Sequence, residues 1–191
     1  MKKNILKLTL LLLVSLPLSA EDYIGSDIRL IAAKDIVLSA VSSSSPVVTF
    51  KHKTEGTRLD VVIDQEFLSS DWTLYSFAFT PSASGQINIE FRGTKDAPEN
   101  QYVAYDTISA QGAVLKNGGF EDFAPGKPNP KFWWGEFKAE QVFKDPNHAQ
   151  SGATFALARH DRPFRTNFKV TANQAVTVTY FVKRVMLETA E

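Results

Sequence analysis

Apolar and polar residues alternate along most of the chain, in short runs separated by turn-forming residues. In residues 86–91, for example, an isoleucine or a phenylalanine follows each polar residue, which places the apolar side chains on one face of an extended strand. Such runs, enriched in β-branched and aromatic residues, are typical of strands with one face on a core. The predicted strands are residues 28–31, 36–41, 47–52, 59–63, 72–80, 86–92, 102–108, 135–143, 153–159, 164–170 and 175–185.

Helix signals are weak throughout the chain, and many short strands at this spacing predict an all-β fold, an antiparallel β-sandwich or jelly roll. Residues 124–130 contain three prolines and interrupt the strand pattern. A segment of this composition cannot contribute to a sheet ladder, so it is a rigid loop that leads into Trp133 and Trp134.

The amino terminus has the pattern of a secretory signal peptide. Three lysines precede an apolar run at residues 8–16, and small residues lead to Ala20 before the acidic Glu21. The sequence therefore predicts a signal peptide at residues 1–20 and a periplasmic or extracellular protein. The apolar run is shorter than the roughly 20 residues of a membrane-spanning helix, so a stable membrane anchor is not expected; a retained N-terminal membrane helix is the less favoured alternative.

Charge and cysteine content narrow the classes of partner. Three of the 21 basic residues and none of the 21 acidic ones lie in residues 1–20, which leaves 18 against 21 in residues 21–191. A nucleic acid partner is not expected, because binding to phosphate requires a basic excess. The chain has no cysteine, which excludes disulfides, a lipid-modified cysteine and thiolate metal sites.

One segment resembles a known family. Residues 117–121 read Asn-Gly-Gly-Phe-Glu, and with residues 114–116 they resemble the opening strand of galactose-binding-like jelly rolls, the carbohydrate-binding modules of families four, sixteen and twenty-two. A tryptophan after a short loop and residues 148–157 continue the resemblance. Residues 71–80 and 102–109 are similar to strands from the closing part of such a module.

The two parts occur in reversed order, with a closing half at residues 21–112 and an opening half at residues 113–191. Either the chain is one circularly permuted sandwich, or the tail of one module is joined to the head of a second. A single domain at residues 21–191 is favoured, because each half alone would leave an open sheet edge and an uncovered apolar face. This interpretation places residues 102–108 beside 118–123, and the C-terminal strand beside strands that precede residue 100.

The family resemblance implies a polysaccharide or oligosaccharide as the partner. Sugar recognition needs flat aromatic faces for C–H surfaces, and polar side chains for the hydroxyls. The candidate ligand-binding residues are Trp133, Trp134, Tyr102, Tyr105 and Arg159. Adjacent tryptophans on a strand point to opposite faces, and we expect Trp133 to be the exposed one.

The same resemblance implies a structural calcium ion. Asp106 and Glu121 would supply carboxylates, and Asn117 a nearby backbone oxygen, because calcium takes oxygen ligands. The alternative is that both carboxylates cap turns.

Catalytic signals are weak. The three histidines have no metal-ligand spacing, and a solvated strand face explains Asp60 and Asp64 more simply than a hydrolytic carboxylate pair does. The sequence therefore predicts a secreted, noncatalytic carbohydrate-binding module or accessory sugar-binding domain, and not an enzyme. The alternative is a structural or adhesive surface domain, or a fragment of a larger multidomain secreted protein, without sugar binding.

Overall fold

The computed structural model of the chain describes residues 25–53, 56–135 and 141–188. The predicted signal peptide at residues 1–20 lies outside the described residues. Within them the chain forms short strands and one turn of 3-10 helix at Gln65–Phe67. The strands are β1 (Gly25–Ala32), β2 (Leu38–Ser43), β3 (Val48–Lys53), β4 (Arg58–Asp64), β5 (Thr73–Pro81), β6 (Gly85–Phe91), β7 (Gln101–Gln111), β8 (Trp134–Gly135), β9 (Val142–Lys144), β10 (Thr154–Ala158), β11 (Phe164–Val170) and β12 (Val176–Met186).

The strands form two six-stranded antiparallel sheets that pack as a sandwich. Sheet A has the order β3-β4-β1-β6-β11-β8, and sheet B has the order β2-β5-β12-β7-β10-β9. Alternate side chains point into the space between the sheets, as in β6, where Ile87, Ile89 and Phe91 are fully buried. The same alternation in β12 buries Val178 and Tyr180. The all-β sandwich predicted from the period-two pattern is confirmed.

Each sheet contains strands from both halves of the sequence. In sheet B, β12 lies between β5 and β7, with Val176 opposite Phe79 and Val182 opposite Tyr105. In sheet A, β11 pairs along its whole length with β6. The predicted proximity of the C-terminal strand to strands before residue 100 is confirmed, and the two halves share one set of hydrogen-bonded ladders.

The segment that resembles an opening strand is a turn. Within residues 114–123 the only ladder contact is an isolated bridge from Phe123 to Pro130, and the prediction of a strand here is wrong. Asn117 and Phe120 have φ of 53° and 60°, values in the left-handed region that regular extended backbone does not adopt. The turn nevertheless lies beside β7, since the Ile108 amide donates to the carbonyl of Gly118 at 2.9 Å.

The predicted strand at residues 135–143 is also wrong. Its ends belong to two short strands in different sheets, β8 in sheet A and β9 in sheet B, and residues 136–140 lie outside the described part of the chain. Gly135 has φ of 153°, and a Cβ at this position would come within 2.6 Å of the Pro163 carbonyl oxygen. Only glycine permits this close approach of the backbone to Pro163, and β8 ends at Gly135.

In the described residues, no helix is long and apolar enough to cross a membrane.

Candidate functional site

Trp133 and Trp134 point to opposite sides of sheet A. Trp133 is buried at 4% exposure and packs on Phe120 with ring centroids 4.8 Å apart, whereas Trp134 is 38% exposed. The expectation that Trp133 is the exposed ring is therefore wrong, although the two do point to opposite faces. The turn at Asn117 explains why Trp133 is the ring that points inward. The Asn117 carbonyl accepts a 2.8 Å hydrogen bond from the indole nitrogen of Trp133 and so provides a partner for this buried donor.

A groove runs along the outer edge of β11. The short strand β8 pairs with β11 only at Phe164 and Arg165, so the rest of this edge lacks a strand partner among the described strands. A side-chain hydrogen bond of 2.7 Å, from Thr166 Oγ1 to the Phe132 carbonyl, ties the approaching loop to the edge. The groove has a volume of about 550 Å³ and is lined by Gly112, Ala113, Val114, Lys116, Phe132, Trp134, Thr166, Asn167, Phe168, Lys169 and Thr171.

The groove combines aromatic and polar surface. Trp134 and Phe132 are 38% and 50% exposed, and Asn167 and Thr171 add an amide and a hydroxyl. The ammonium of Lys116 lies 4.9 Å from the centroid of the Phe132 ring, a cation–π distance. A volume of about 550 Å³ falls within the roughly 300–1,000 Å³ of small-ligand sites.

The other predicted ligand-binding residues lie elsewhere, and none of them lines this groove. Tyr105 is buried in the core, where its hydroxyl donates to the Arg92 carbonyl at 2.7 Å. Tyr102 is 7% exposed, and the guanidinium of Arg159 lies 5.8 Å from its ring centroid. Arg159 also pairs with Asp161 at 3.1 Å. Of the five predicted ligand-binding residues, Trp134 alone lines the groove.

Asp106, the first predicted calcium ligand, is a buried carboxylate that holds a loop. It has no exposed surface; its Oδ2 accepts from the amides of Gln150 and Ser151 at 2.9 and 3.1 Å, and its Oδ1 accepts from Thr107 at 2.6 Å. Burial raises the pKa of Asp106 above its usual value, the backbone amides oppose the shift, and the charge of Glu121 adds to it.

Glu121 binds the next part of the same loop. Its Oε1 accepts from the amides of Ala153 and Thr154, both at 2.7 Å, and its Oε2 accepts from the Thr154 hydroxyl at 3.0 Å. A Cβ at Gly152, where φ is 64°, would lie 2.3 Å from that Oε1, so only glycine lets the loop approach this closely. Asp106 and Glu121 thus converge on residues 150–154.

Asn117 organises the turn through its side chain and its backbone oxygen. Its Nδ2 donates to the carbonyls of Asp122 and Lys131, both at 2.9 Å, and its Oδ1 accepts from the Asp122 amide at 3.0 Å. Its backbone oxygen accepts from Trp133 and Phe120. These hydrogen bonds stabilise the turn. The described residues include no group of three or more His, Cys, Asp or Glu placed to hold a metal ion.

Two of the remaining candidates for chemistry, Asp60 and His148, are held by ordinary partners. Asp60 is almost fully buried and accepts two 2.7 Å hydrogen bonds from Arg58, which corrects the expectation of a solvated carboxylate. His148 lies 2.6 Å from Asp145 within a turn. Burial, with the nearby charge of Arg92, lowers the pKa of His160.

The sequence prediction missed most of the groove. Lys116, Phe132 and the β11 pair Asn167 and Lys169 come from three segments that are separated in the chain, and no motif joins them. The one signal that pointed to this region was the rigid loop before residues 132–134. Comparison of the chain with family models, curated proteins and solved structures found no match.

Proposed function

We propose that the protein is an exported, noncatalytic carbohydrate-binding protein, and that the groove beside β11 holds an oligosaccharide or a segment of polysaccharide. The observation that carries this proposal is the exposed pair Trp134 and Phe132 in a groove that also presents Asn167 and Thr171.

The composition of the groove suits a sugar. A pyranose ring has an apolar C–H face that stacks on an aromatic ring, and hydroxyls at its edge that both donate and accept hydrogen bonds. Trp134 offers the aromatic surface, and the amide of Asn167 and the hydroxyl of Thr171 offer both donors and acceptors. Of the described residues that line the groove, none is a carboxylate that could act as the acid or base of glycoside hydrolysis, so binding is the simpler function.

Retention on polysaccharides tests the proposal. Trp134→Ala should weaken binding about tenfold, because a stacking contact and its buried area contribute about 1.5 kcal/mol. Phe67→Ala is the matched control, since Phe67 is an exposed aromatic residue, 41% accessible, that does not line the groove. Equal binding by the native chain and Trp134→Ala, or no retention on any polysaccharide, would contradict sugar binding in this groove.

Calcium is a second part of the proposal. Asp106 and Glu121 are like charges that converge, and burial of Asp106 makes its ionised form costly, so a divalent cation beside them would relieve both effects. All four carboxylate oxygens also accept hydrogen bonds, from Thr107 and from the loop at residues 150–154. Calcium at the pair would support that loop.

Thermal unfolding with and without calcium separates the two roles of the carboxylates. A ligand that binds only the native state raises the melting temperature, so millimolar calcium should raise it relative to chelator. The increase should vanish in Glu121→Gln, which removes a charge from the pair. A melting temperature that does not respond to calcium in the native chain would leave the carboxylates as loop anchors alone.

Export is the third part. Cleavage after Ala20 would release residues 21–191 into the periplasm or the medium. Mass spectrometry of the protein from fractionated cells should therefore give a mass that begins at Glu21. Recovery of a chain with intact Met1 from the cytoplasm would contradict export.

A further inference from the structure

We propose that the ligand of the groove is an anionic polysaccharide whose sugars carry carboxylates. This inference rests on the proposed function, and it concerns which class of sugar the groove selects. Lys116 and Lys169 both line the groove, and no acidic residue lines it among the described residues.

The two lysines differ from the other cations on this side of the molecule. A row of opposite charges crosses the outer face of sheet A, in which Arg29 lies opposite both Asp60 and Glu90, and Arg165 lies opposite Glu90. The acids there are paired, with distances of 2.7 Å from Arg58 to Asp60 and 3.1 Å from Arg165 to Glu90. The row reaches the groove at Trp134, which lies opposite Arg165.

In the groove, past Trp134, the basic side chains no longer have acidic partners in the described part of the chain. Both Lys116 and Lys169 are exposed, and neither makes an ion pair with any described residue. Residues 21–191 carry an acidic excess overall, so two unpaired cations around a groove without carboxylates form a local positive field. A neutral glycan would gain nothing from it, whereas a polyuronate would place its carboxylates there.

The positions of the lysines suit an extended anionic chain. Lys169 belongs to β11, two residues from Asn167 and on the same face of the strand, and Lys116 belongs to the segment at the other side of the groove. The contact of the Lys116 ammonium with the Phe132 ring keeps this charge at the rim. The cations therefore flank the aromatic surface on which a sugar ring would stack.

A peptide strand added to the edge of β11 is the competing occupant. The loop before β8 already reaches this edge, because the Phe132 carbonyl accepts a hydrogen bond from the Thr166 side chain. Phe132 and Trp134 also present ring surface, which a ladder of backbone hydrogen bonds does not require. The lining therefore favours a sugar over a peptide.

The experiment is titration calorimetry of the full purified chain with polygalacturonate and with the same polymer fully methyl-esterified. The two polymers share a backbone and differ in charge. We expect binding to polygalacturonate, at least tenfold weaker binding to the ester, and an affinity that falls as salt is added. Alginate and hyaluronate extend the acidic set, and mannan and xylan extend the neutral set.

Variants place the effect in the groove. Lys116→Gln and Lys169→Gln should each weaken binding to acidic polymers about two- to fivefold, as expected for exposed charges. Lys51→Gln is the control, because Lys51 lies on β3 at the opposite edge of sheet A.

Each outcome has a distinct meaning. Equal affinity for the acid and its ester, or binding to neutral polymers alone, would overturn the inference and leave sugar binding intact. Binding to none of the polymers would overturn both proposals, and so would binding of an extended peptide to the groove in their place. Unchanged binding of acidic polymers by both lysine variants would overturn the assignment of the charge to this groove.

Discussion

At the scale of single residues, neighbours in sequence have opposite roles. Trp133 contacts Phe120, Phe91 and Phe164 in the core, and its indole nitrogen has a partner there, whereas Trp134 faces the groove. The period of a strand predicts that adjacent residues face opposite sides. The period does not predict which of the two faces inward. The inward choice depends on the Asn117 carbonyl, which belongs to a turn elsewhere in the chain.

The two tryptophans should therefore separate stability from binding. Trp133→Ala should lower the free energy of unfolding by about 3–5 kcal/mol, since it opens a large cavity. Trp134→Ala should lower it by less, about 1–2 kcal/mol, since its side chain is only partly buried, with 38% exposed. Denaturant unfolding measures both, and a larger loss for Trp134→Ala than for Trp133→Ala would contradict the assignment.

Asp106 gives a pH dependence with a defined sign. Its pKa is raised in the native state by burial, so the native state binds this proton more tightly than the unfolded state does. The stability that this proton contributes is complete below the ordinary pKa of 3.8 and is lost as the pH rises through the raised native value.

We therefore expect the stability difference between the native chain and Asp106→Asn, measured without calcium, to decrease as the pH rises through that range. Asp145→Asn is the control with the opposite trend, because the hydrogen bond from His148 lowers the pKa of Asp145. A difference for Asp106 that grows with pH would mean that the backbone amides outweigh burial.

At the scale of elements, the strands followed from the alternation of the sequence wherever the backbone is regular. Residues 164–170 were predicted with the bounds of β11. The errors occurred at residues 114–123 and 135–143, where the structure has positive φ at Asn117, Phe120 and Gly135. Hydrogen bonds and core packing from other segments stabilise those values, and period and propensity do not contain that information.

The central strand of sheet B supports a prediction about these elements. Val178 in β12 is fully buried and lies between Phe77 of β5 and Ala110 of β7, so Val178→Pro would remove a ladder donor and insert a ring that does not fit. We expect a loss of about 4 kcal/mol or more in the free energy of unfolding.

The matched control for this prediction is Val41→Pro. Val41 is 59% exposed and lies at the irregular step between Ala40 and Ser42 in the edge strand β2, where proline is tolerated. Circular dichroism and denaturant unfolding of both variants test the comparison. Equal losses for the two valines would mean that β12 is not central to the sheet.

At the scale of the whole molecule, the class of fold could be predicted from the sequence, and the groove could not. The groove is made where Lys116, Phe132 and Asn167 meet, on three segments separated in the chain. The convergence of Asp106 and Glu121 depends in the same way on the loop at residues 150–154, to which both carboxylates bind. A resemblance suggested both carboxylates, but only the packed sandwich brings them to one loop.

The strand order leads to a prediction about the two halves. Division after Gly112 would leave β5 and β7 in one fragment without β12, the strand that joins them, and would leave β12 in the other fragment without either partner. Sheet A would lose the pairing of β6 with β11. Residues 21–112 and residues 113–191 should each be disordered or aggregate when expressed alone, because each exposes strand edges and an apolar face that the other covers.

The full chain should unfold in one cooperative transition, because both sheets and the core between them depend on strands from the two halves. Mixing the two fragments should restore part of the folded signal, since the missing ladders can form between separate chains. Calorimetry and circular dichroism of the full chain, each fragment and the mixture measure these expectations. A fragment of residues 21–112 that melts cooperatively by itself would show that the first half is an independent module, and would remove the reason for treating residues 21–191 as one domain.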